Sequence, residues 1–236
     1  MVLYGYQCGC DTLNDVEKRG IKCDNRSKAG KVWGKDMGVK ENRMFSQMLS
    51  AATERLLRHN CEEIAKNSNA VYNKEEKAFV IETLGKTVRI KYPEFSVMPN
   101  LNEWHQLVIL HYLDLADGSS VENTLISFSQ MKDGLIRGGD FDRRFEKTMQ
   151  LLLKTLSADE FKEKCLALGG RIIPTNADLS VEFLFLPRFP VTLKVWFADE
   201  DFEASARMML DASAEHYLTI EDAVTVGEFL LERLRK

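Results

Sequence analysis

The stretch LSVEFLFLPRFPVTLKVWF, residues 179–197, decides the fold of this chain, because its two strongest strand signals stand there side by side. In the second run, VTLKVWF, apolar residues alternate with Thr192, Lys194 and Trp196. This two-residue period is typical of a half-buried antiparallel strand. The intervening PRFP places two prolines at a bend, where a sheet does not require backbone donors. We therefore predict an antiparallel hairpin in the main sheet.

Helical patterns lie on both sides of this hairpin. From Glu41 to about Lys66, apolar residues recur every three or four positions, which predicts one long amphipathic helix. The stretch LNEWHQLVILHYLDLA follows a capping box of Asn100 and Glu103 and is apolar nearly all round, which predicts a buried helix. Further helices are predicted from their N-terminal residues, which are Asp140, Ser157 with Glu160, and Thr219 with Asp222.

Short β-rich runs predict a second group of strands. Residues 70–72, 78–82 and 87–91, separated by the turns NKEEK and LGK, predict a small antiparallel meander. The run LISF, residues 125–128, is a candidate for a further short strand. No alternation of strands and helices with a glycine-rich phosphate loop occurs in the sequence. We therefore predict the α+β class, with an antiparallel sheet, including the C-terminal hairpin, packed with several amphipathic helices.

The composition is that of a globular protein with one atypical end. The chain has 236 residues, of which 44% are hydrophobic and 29% are charged, ordinary values for a protein with a sizeable core. Residues 1–40 show no apolar period and are rich in Gly, Lys, Asp and Asn, which predicts a loosely ordered arm that carries cysteines. Residues 41–236 are predicted to form a single α+β domain.

Charge and hydropathy narrow the function classes. The net charge of −4 argues against a dedicated nucleic-acid binder. No apolar run approaches the roughly 18 residues that span a bilayer, and the N-terminal residues lack the pattern of a secretory signal. The odd number of cysteines, five, fits a reducing compartment better than a disulfide framework. We expect a cytoplasmic protein that binds neither nucleic acid nor membranes.

Carboxylates concentrate after the hairpin, in WFADEDFEASARMMLDASAEHYLTIEDAV, residues 196–224. One interpretation is structural: Asp199 to Asp201 cap a helix over about residues 202–213, and Asp211 then pairs with Arg207 one turn earlier. The other is a ligand-binding or acid–base site at one end of the sheet. The candidate residues for that site are Trp196, Asp199, Arg207, Asp211 and His216, with Arg188 as a further cation for an anion.

The cysteines suggest a second candidate site. Cys8, Cys10 and Cys23 offer three thiolates to zinc or to an iron–sulfur cluster. Such sites normally use four ligands from paired CxxC spacings, so free thiols are the alternative. Cys61 and Cys165 lie in helical apolar patterns, and we predict that both are buried and unreactive.

Other motifs identify no catalytic group. The four histidines form no HExxH, HxH or triad-like local pattern, and the sequence has no GxSxG, Walker or GxGxxG motif. The segment GLIRGGD, residues 134–140, resembles a phosphate-binding loop only superficially. We predict that it is a flexible turn before the helix that Asp140 caps.

Several blocks of sequence occur in a recognisable order: LGKTVRIKYP, LHYLDLADG, ISFSQMKDG, LGGR, NADLSVEF and FLPRFPVTLKVWFADEDFEASARMMLDASAEHYLTIEDAV. Together they resemble an uncharacterised domain family of anaerobic bacteria and archaea, over roughly residues 40–236, and the last block is the most specific. The resemblance implies a setting in anaerobic one-carbon or redox metabolism, because some members are fused to iron–sulfur cluster domains of the corrinoid type. It implies no catalytic residues, and it does not extend to the cysteine-bearing arm.

Two functions stay open at this point. The first is an accessory or ligand-binding module in anaerobic redox or corrinoid-linked one-carbon metabolism, with a redox, corrinoid or iron–sulfur protein as its partner. The second is an enzyme that uses the cluster of carboxylates and arginines, with or without a metal. The cofactor, the ligand and the oligomeric state stay open.

Overall fold

The predicted hairpin lies at the centre of the larger of two antiparallel sheets. The computed structural model describes residues 40–236. Within that range the strands run in the orders β1-β2-β3-β4 and β5-β9-β8-β7-β6. The first sheet contains β1 (Val71–Asn73), β2 (Ala78–Thr83), β3 (Lys86–Lys91) and β4 (Ser96–Met98). The second contains β5 (Leu125–Ile126), β6 (Arg171–Ile172), β7 (Leu179–Leu186), β8 (Phe189–Trp196) and β9 (Ser205–Asp211).

Six helices accompany the sheets in the described part of the chain. They are α1 (Lys40–Leu56), α2 (Cys61–Ser68), α3 (Glu103–Leu115), α4 (Gly134–Leu153), α5 (Ala158–Ala167) and α6 (Ile220–Arg235). Two 3-10 turns, Phe128–Gln130 and Ala212–His216, flank β5 and β9. None of the helices that the structure describes has both the length and the apolar composition needed to cross a bilayer.

The predicted α+β class is confirmed. Strand β7 pairs with β8 from Leu179 opposite Val195 to Leu186 opposite Phe189, with a register shift next to the turn. The inward-facing residues of β8 are fully buried, as the two-residue period predicted. The meander is also confirmed, and β4 extends it by one strand that the sequence did not reveal.

The prediction of one long helix over residues 41–66 is wrong in one respect, because the helix is interrupted between α1 and α2. Asn60 stops the continuation: its backbone is extended, and its side chain accepts a hydrogen bond from Glu62 N at 2.8 Å. Asn102, not Asn100, caps α3, accepting from Trp104 N at 3.0 Å. The predicted starts of α5 and α6, at Ser157 and Thr219, are confirmed.

The predicted flexible turn GLIRGGD is wrong, because these residues form the first two turns of α4. Asp140 lies inside the helix and does not cap it. Glycines are present for a tertiary reason: a Cβ at Gly134 or Gly138 would lie 2.2 Å from the carbonyl oxygen of Phe128. Only a helix without side chains at both positions lets the 3-10 turn Phe128–Gln130 lie directly against it.

The predicted helix over residues 202–213 is also wrong, because residues 205–211 form strand β9. This strand pairs with β8 along its length, from Ser205 opposite Trp196 to Leu210 opposite Val191. Ala206, Met208 and Leu210 are buried, which is an alternation of period two. The spacing of Ala206, Met209 and Leu210 also fits a helix, and pairing with β8 decides between the two.

A continuous core of buried apolar residues joins α3, α6 and both sheets. Leu107 to Leu110 of α3 are at most 2% exposed, as expected for a helix that is apolar nearly all round. Cys165 is buried in this core, whereas Cys61 is only half-buried at its border. The prediction of full burial is therefore right for Cys165 and wrong for Cys61.

Candidate functional site

The six candidate residues from the sequence fall into two groups. Arg188, Asp211 and His216 lie where β8 begins and β9 ends, whereas Trp196, Asp199 and Arg207 lie toward the opposite end of the same strands. The length of β8, at about 3.3 Å per residue, separates the two ends by roughly 23 Å. The expectation that these residues share one end of the sheet is therefore wrong.

Asp211 is a buried structural carboxylate. Its Oδ1 accepts hydrogen bonds from Glu122 N at 2.9 Å, Ser213 N at 3.0 Å and Ser213 Oγ at 2.6 Å. Burial opposes ionisation, but the donors of Ser213, Glu122 and Asn123 outweigh it and lower the pKa of Asp211. The predicted ion pair with Arg207 is wrong, because residues four apart in a strand are about 13 Å apart.

Arg188 is also committed to the protein itself. Its Nη1 donates to the carbonyl oxygens of Gly118 at 2.6 Å and Ser119 at 3.1 Å. The Tyr217 hydroxyl donates to the same Ser119 carbonyl. Together with Asp211, these groups anchor the loop between α3 and β5.

His216 completes this anchoring. Its Nδ1 lies 2.7 Å from Oδ2 of Asp117, and the Ser119 N–H donates to Oδ1 of Asp117 at 2.9 Å. The hydrogen bond from the Ser119 side chain, ahead of the contribution of His216, lowers the pKa of Asp117 to about 2. The first group of candidates therefore meets at one place, and its shared role there is to hold the α3–β5 loop.

All four histidines of the chain lie on α3 or contact a carboxylate in or just after it. His105 and His111 lie on α3, and His111 Nδ1 is 2.8 Å from Asp222 of α6. The other two histidines contact carboxylates of residues 114–117. His216 contacts Asp117, and His59 Nε2 lies 3.8 Å from Oδ1 of Asp114. Residues 111, 114 and 117 recur every third position, which is the only sequence signal for this arrangement.

His105 is the buried member of this set. It is 4% exposed, and its Nε2 lies 2.9 Å from the Thr83 hydroxyl, whereas its Nδ1 has no hydrogen-bond partner among residues 40–236. Burial, reinforced by the charges of Arg233 and Lys86, lowers its pKa to about 4, so it is neutral at physiological pH. Across residues 40–236, no group of three or more His, Cys, Asp or Glu side chains is arranged to hold a metal ion.

Arg207, one of the second group of candidates, lines a groove between α4, the 3-10 turn Phe128–Gln130 and β9. The groove has a cavity volume of about 500 Å³, within the usual range of ligand pockets. Its lining is apolar at Phe145, Ala206 and Met208 and polar at Ser127, Ser129, Gln130 and Arg207. A smaller cavity of about 240 Å³ adjoins it at Glu146 and extends toward Ser205. We call these two cavities together the α4–β9 groove.

The wall of the groove is fixed by side chains of α4. Asp142 accepts hydrogen bonds from Phe128 N at 3.3 Å and Ser129 N at 3.0 Å, which satisfies the first donors of the 3-10 turn. The same turn also packs directly against Gly134 and Gly138 of α4. Such fixed walls favour specific binding, because little ordering is left for the ligand to induce.

Arg207 lies at the rim of the groove on the outer face of the sheet. It is directly opposite Lys194 on β8, and Trp196 lies on the same face two residues along. Like charges in opposite positions repel each other. In the part of the chain that the structure describes, no carboxylate lies within ion-pairing distance of either cation.

Asp199 has a local role. Its Oδ1 accepts hydrogen bonds from Asp201 N at 2.9 Å and Phe202 N at 2.7 Å. It therefore stabilises the turn between β8 and β9 rather than the start of a helix. The prediction that Asp199 caps a helix is therefore wrong, because a turn and strand β9 follow it instead.

The three N-terminal cysteines, Cys8, Cys10 and Cys23, lie outside the described residues, and their metal site stays a prediction.

In a comparison with protein families, the family model described as a domain of unknown function, DUF3786, matches residues 60–233. No curated protein and no solved structure matches the chain significantly. The match includes the α3–β5 loop, the whole of α4 and the β7–β8–β9 meander. The chain therefore belongs to the DUF3786 family of domains of unknown function.

Proposed function

We propose that this domain is an accessory module that binds an anionic ligand in the α4–β9 groove. One observation carries the proposal: Arg207, directly opposite Lys194 on β8, lines a fixed cavity, and within residues 40–236 no carboxylate lies within ion-pairing distance of either cation. An anion bound at the rim relieves their repulsion and gains charge-assisted hydrogen bonds from the guanidinium group.

The polar lining of the groove supports the same ligand class. Ser127 N and Ser127 Oγ both donate to Gln130 Oε1, at 2.9 and 3.1 Å, so the amide of Gln130 has its donor side left for a ligand. The charge of Asp142 is balanced by two backbone N–H groups. Glu146, which also lines the groove, favours a ligand with its acidic group at Arg207 and neutral groups elsewhere.

The metabolic setting is part of the proposal and rests on the family resemblance. We infer a cytoplasmic accessory role in anaerobic redox or corrinoid-linked one-carbon metabolism, with a redox, corrinoid or iron–sulfur protein as the partner. Metal analysis and optical spectra of the anaerobically purified full chain test this setting. A cluster or metal held by Cys8, Cys10 and Cys23 supports it, whereas featureless spectra and metal-free protein count against it.

The enzyme alternative has weaker support from the geometry. It requires the carboxylates and arginines to converge, but Asp211 and Arg188 hold the α3–β5 loop, and Arg207 lies farther along the sheet. A binding role is therefore the better account of the residues that remain uncommitted.

The binding proposal is tested by titrating the full chain with phosphate, sulfate, acetate and succinate. The readouts are thermal melts and backbone NMR shifts, and Arg207→Gln is compared with Arg89→Gln, which removes an exposed cation from β3. A ligand at 100 times its dissociation constant stabilises the folded state by about 2.7 kcal/mol. We expect stabilisation of the wild type and of Arg89→Gln, and little for Arg207→Gln. Equal stabilisation of all three proteins, or no shift at residues of the groove, contradicts the proposal.

A further inference from the structure

Strand β9 has an edge that is only partly covered. On one side it pairs with β8 from Ser205 to Leu210. On the other side β5 pairs only with Leu210 and Asp211. Within residues 40–236, no backbone hydrogen bond from another segment reaches residues 205–209 on that side. Five residues of strand edge are therefore open, and the edge faces the α4–β9 groove.

The chain leaves this edge at a defined point. After Ile126, the Ser127 N–H donates to the Gln130 side chain at 2.9 Å, and this capping box starts the 3-10 turn. Gly134 and Gly138 then hold the turn against α4. Strand β5 thus covers two residues of β9 in antiparallel register and goes no farther, although the groove continues in line with it.

We propose that an extended peptide segment of a partner protein binds along residues 205–209 as an additional antiparallel strand, with an acidic side chain opposite Arg207. This inference rests on the proposed function, because it names the occupant of the same groove. The added strand continues the line of β5, and its backbone supplies the hydrogen bonds that the open edge lacks. Strand addition of this kind is a recurrent mode of peptide recognition.

The alternation of β9 defines the peptide that fits. Five residues of strand span about 16 Å, and every second residue directs its backbone N–H and C=O toward the open side. Directly opposite residues of an antiparallel pair share a face, with Cβ atoms about 5 Å apart. The residue opposite Arg207 therefore lies on the outer face, with Arg207 between it and Lys194. Its two neighbours lie opposite Ala206 and Met208, above the apolar floor of the groove. The predicted motif is apolar–acidic–apolar.

A second copy of this chain is a poorer occupant. Two-fold pairing of β9 edges centred on Arg207 places the two guanidinium groups opposite each other, with both Lys194 side chains nearby. Such like-charge contacts are a common means of preventing edge-to-edge association. A heterologous acidic segment instead places a carboxylate opposite Arg207, which is a favourable contact.

The test uses the full chain and acetylated, amidated pentapeptides of pattern Thr-X-Glu-X-Thr, where X is Val, Ile or Ala. A second set carries Lys in place of Glu, and a third carries N-methyl groups on alternate backbone nitrogens. Binding is followed by NMR titration and by hydrogen exchange of the amides of residues 205–209. The protein variants are Arg207→Glu and its control Arg89→Glu.

We expect the Glu peptides to bind the wild type and Arg89→Glu alike and to slow exchange of alternate amides in residues 205–209. We expect Arg207→Glu to weaken the binding of the Glu peptides by at least about fivefold, as for the stronger exposed ion pairs. The same variant should bind the Lys peptides better than the Glu peptides. N-methylation on the pairing side should abolish binding, because it removes donors that β9 requires.

Three results overturn the inference: no binding by any peptide of the Glu set, binding without slower amide exchange, or equal binding of the N-methylated set. Loss of binding through self-association of the chain at its edge, detected by light scattering, also overturns it. If small anions act at Arg207 while the peptides do not bind, the proposed function stands and strand addition fails. If neither anions nor peptides act at Arg207, both proposals fail.

Discussion

Asp117 and His216, 99 residues apart in the sequence, join the end of α3 to the turn that follows β9 through a contact of 2.7 Å. The Asp117 carboxylate also accepts from Ser119 N in its own loop. One side chain thus connects the α3–β5 loop with the end of the large sheet.

This carboxylate predicts a specific acid dependence. The folded-state pKa of Asp117 is lowered from 3.8 to about 2, so its ionised form stabilises the fold above pH 4. That contribution is lost as the pH falls from about 4 to about 2. Because half of the side chain is exposed, we expect Asp117→Asn to cost only about 0.5–1 kcal/mol at pH 7.

Urea unfolding at pH 7, 4 and 2.5 measures this effect. The difference between wild type and Asp117→Asn should shrink across the lower two values. Glu94→Gln, at an exposed turn acid, serves as the control and should leave the pH profile unchanged. A constant difference at all three pH values rules out the assigned role of Asp117.

Asp211 predicts a larger loss of stability. If Asp211 lay on the surface of a helix, Asp211→Asn would leave the stability of the fold almost unchanged. The observed side chain is instead 3% exposed and accepts three hydrogen bonds. A hydrogen bond to a charged group contributes about 1.5–3 kcal/mol to the stability of the fold. We expect Asp211→Ala to cost about 2–3 kcal/mol in chemical denaturation and Asp211→Asn about half of that. A silent Asp211→Ala would contradict the anchoring role.

Two adjacent glycines of α4 give opposite predictions. Replacing glycine by alanine in a helix interior normally stabilises it by about 1 kcal/mol. At Gly139 the nearest atom to an added Cβ is 3.6 Å away, on the flexible Arg143 side chain, so Gly139→Ala should be neutral or stabilising. At Gly138 the added Cβ would lie 2.2 Å from the Phe128 carbonyl, so Gly138→Ala should cost about 1–3 kcal/mol or more.

Calorimetric melts of the two alanine variants decide this prediction. Because Gly138→Ala displaces the wall of the α4–β9 groove, it should also shift the NMR signals of Ser127 to Gln130. If both variants melt alike, the turn does not rest on the helix as described.

The thiols should differ in reactivity. Cys165 is fully buried, and burial raises its pKa to about 12, so almost no thiolate is present at pH 8. Cys61 is half-buried and should react sooner. Labelling with iodoacetamide followed by peptide mapping separates the sites, and unfolding in urea should make both react at similar rates. Rapid labelling of Cys165 in the native protein would contradict its place in the core.

The sequence specified the hairpin of residues 179–197 because the necessary information is local. The β-branched and aromatic residues and the two-residue period all favour strands there. The capping box at Ser157 was equally predictable from the sequence, because its two partners are three residues apart. Local chemistry of this kind predicts an element without knowledge of its neighbours.

Strand β9 and the start of α4 were misjudged because distant contacts decide them. The apolar residues of SARMMLD fit both periods, and pairing with β8 selects the strand. Gly134 and Gly138 suggest a loop when the sequence is considered alone, and only the packing of Phe128 against them explains their place in a helix. The contacts of His216 and His111 join positions about a hundred residues apart, so no local spacing reveals them. The open edge of β9 became visible only with the sheet order.

The pairing of β5 with β9 has a consequence for the order of folding. Strands β7, β8 and β9 are consecutive hairpins, whereas Ile126 meets Leu210 only after a long loop has closed. Closing long loops costs entropy that local hairpins avoid, and non-local pairs form late. Our hypothesis is that the β7–β8–β9 meander belongs to the folding nucleus and that the groove wall is added last. Kinetic φ-values near zero for Ile126→Ala and well above zero for Leu193→Ala would support it, and the reverse order would refute it.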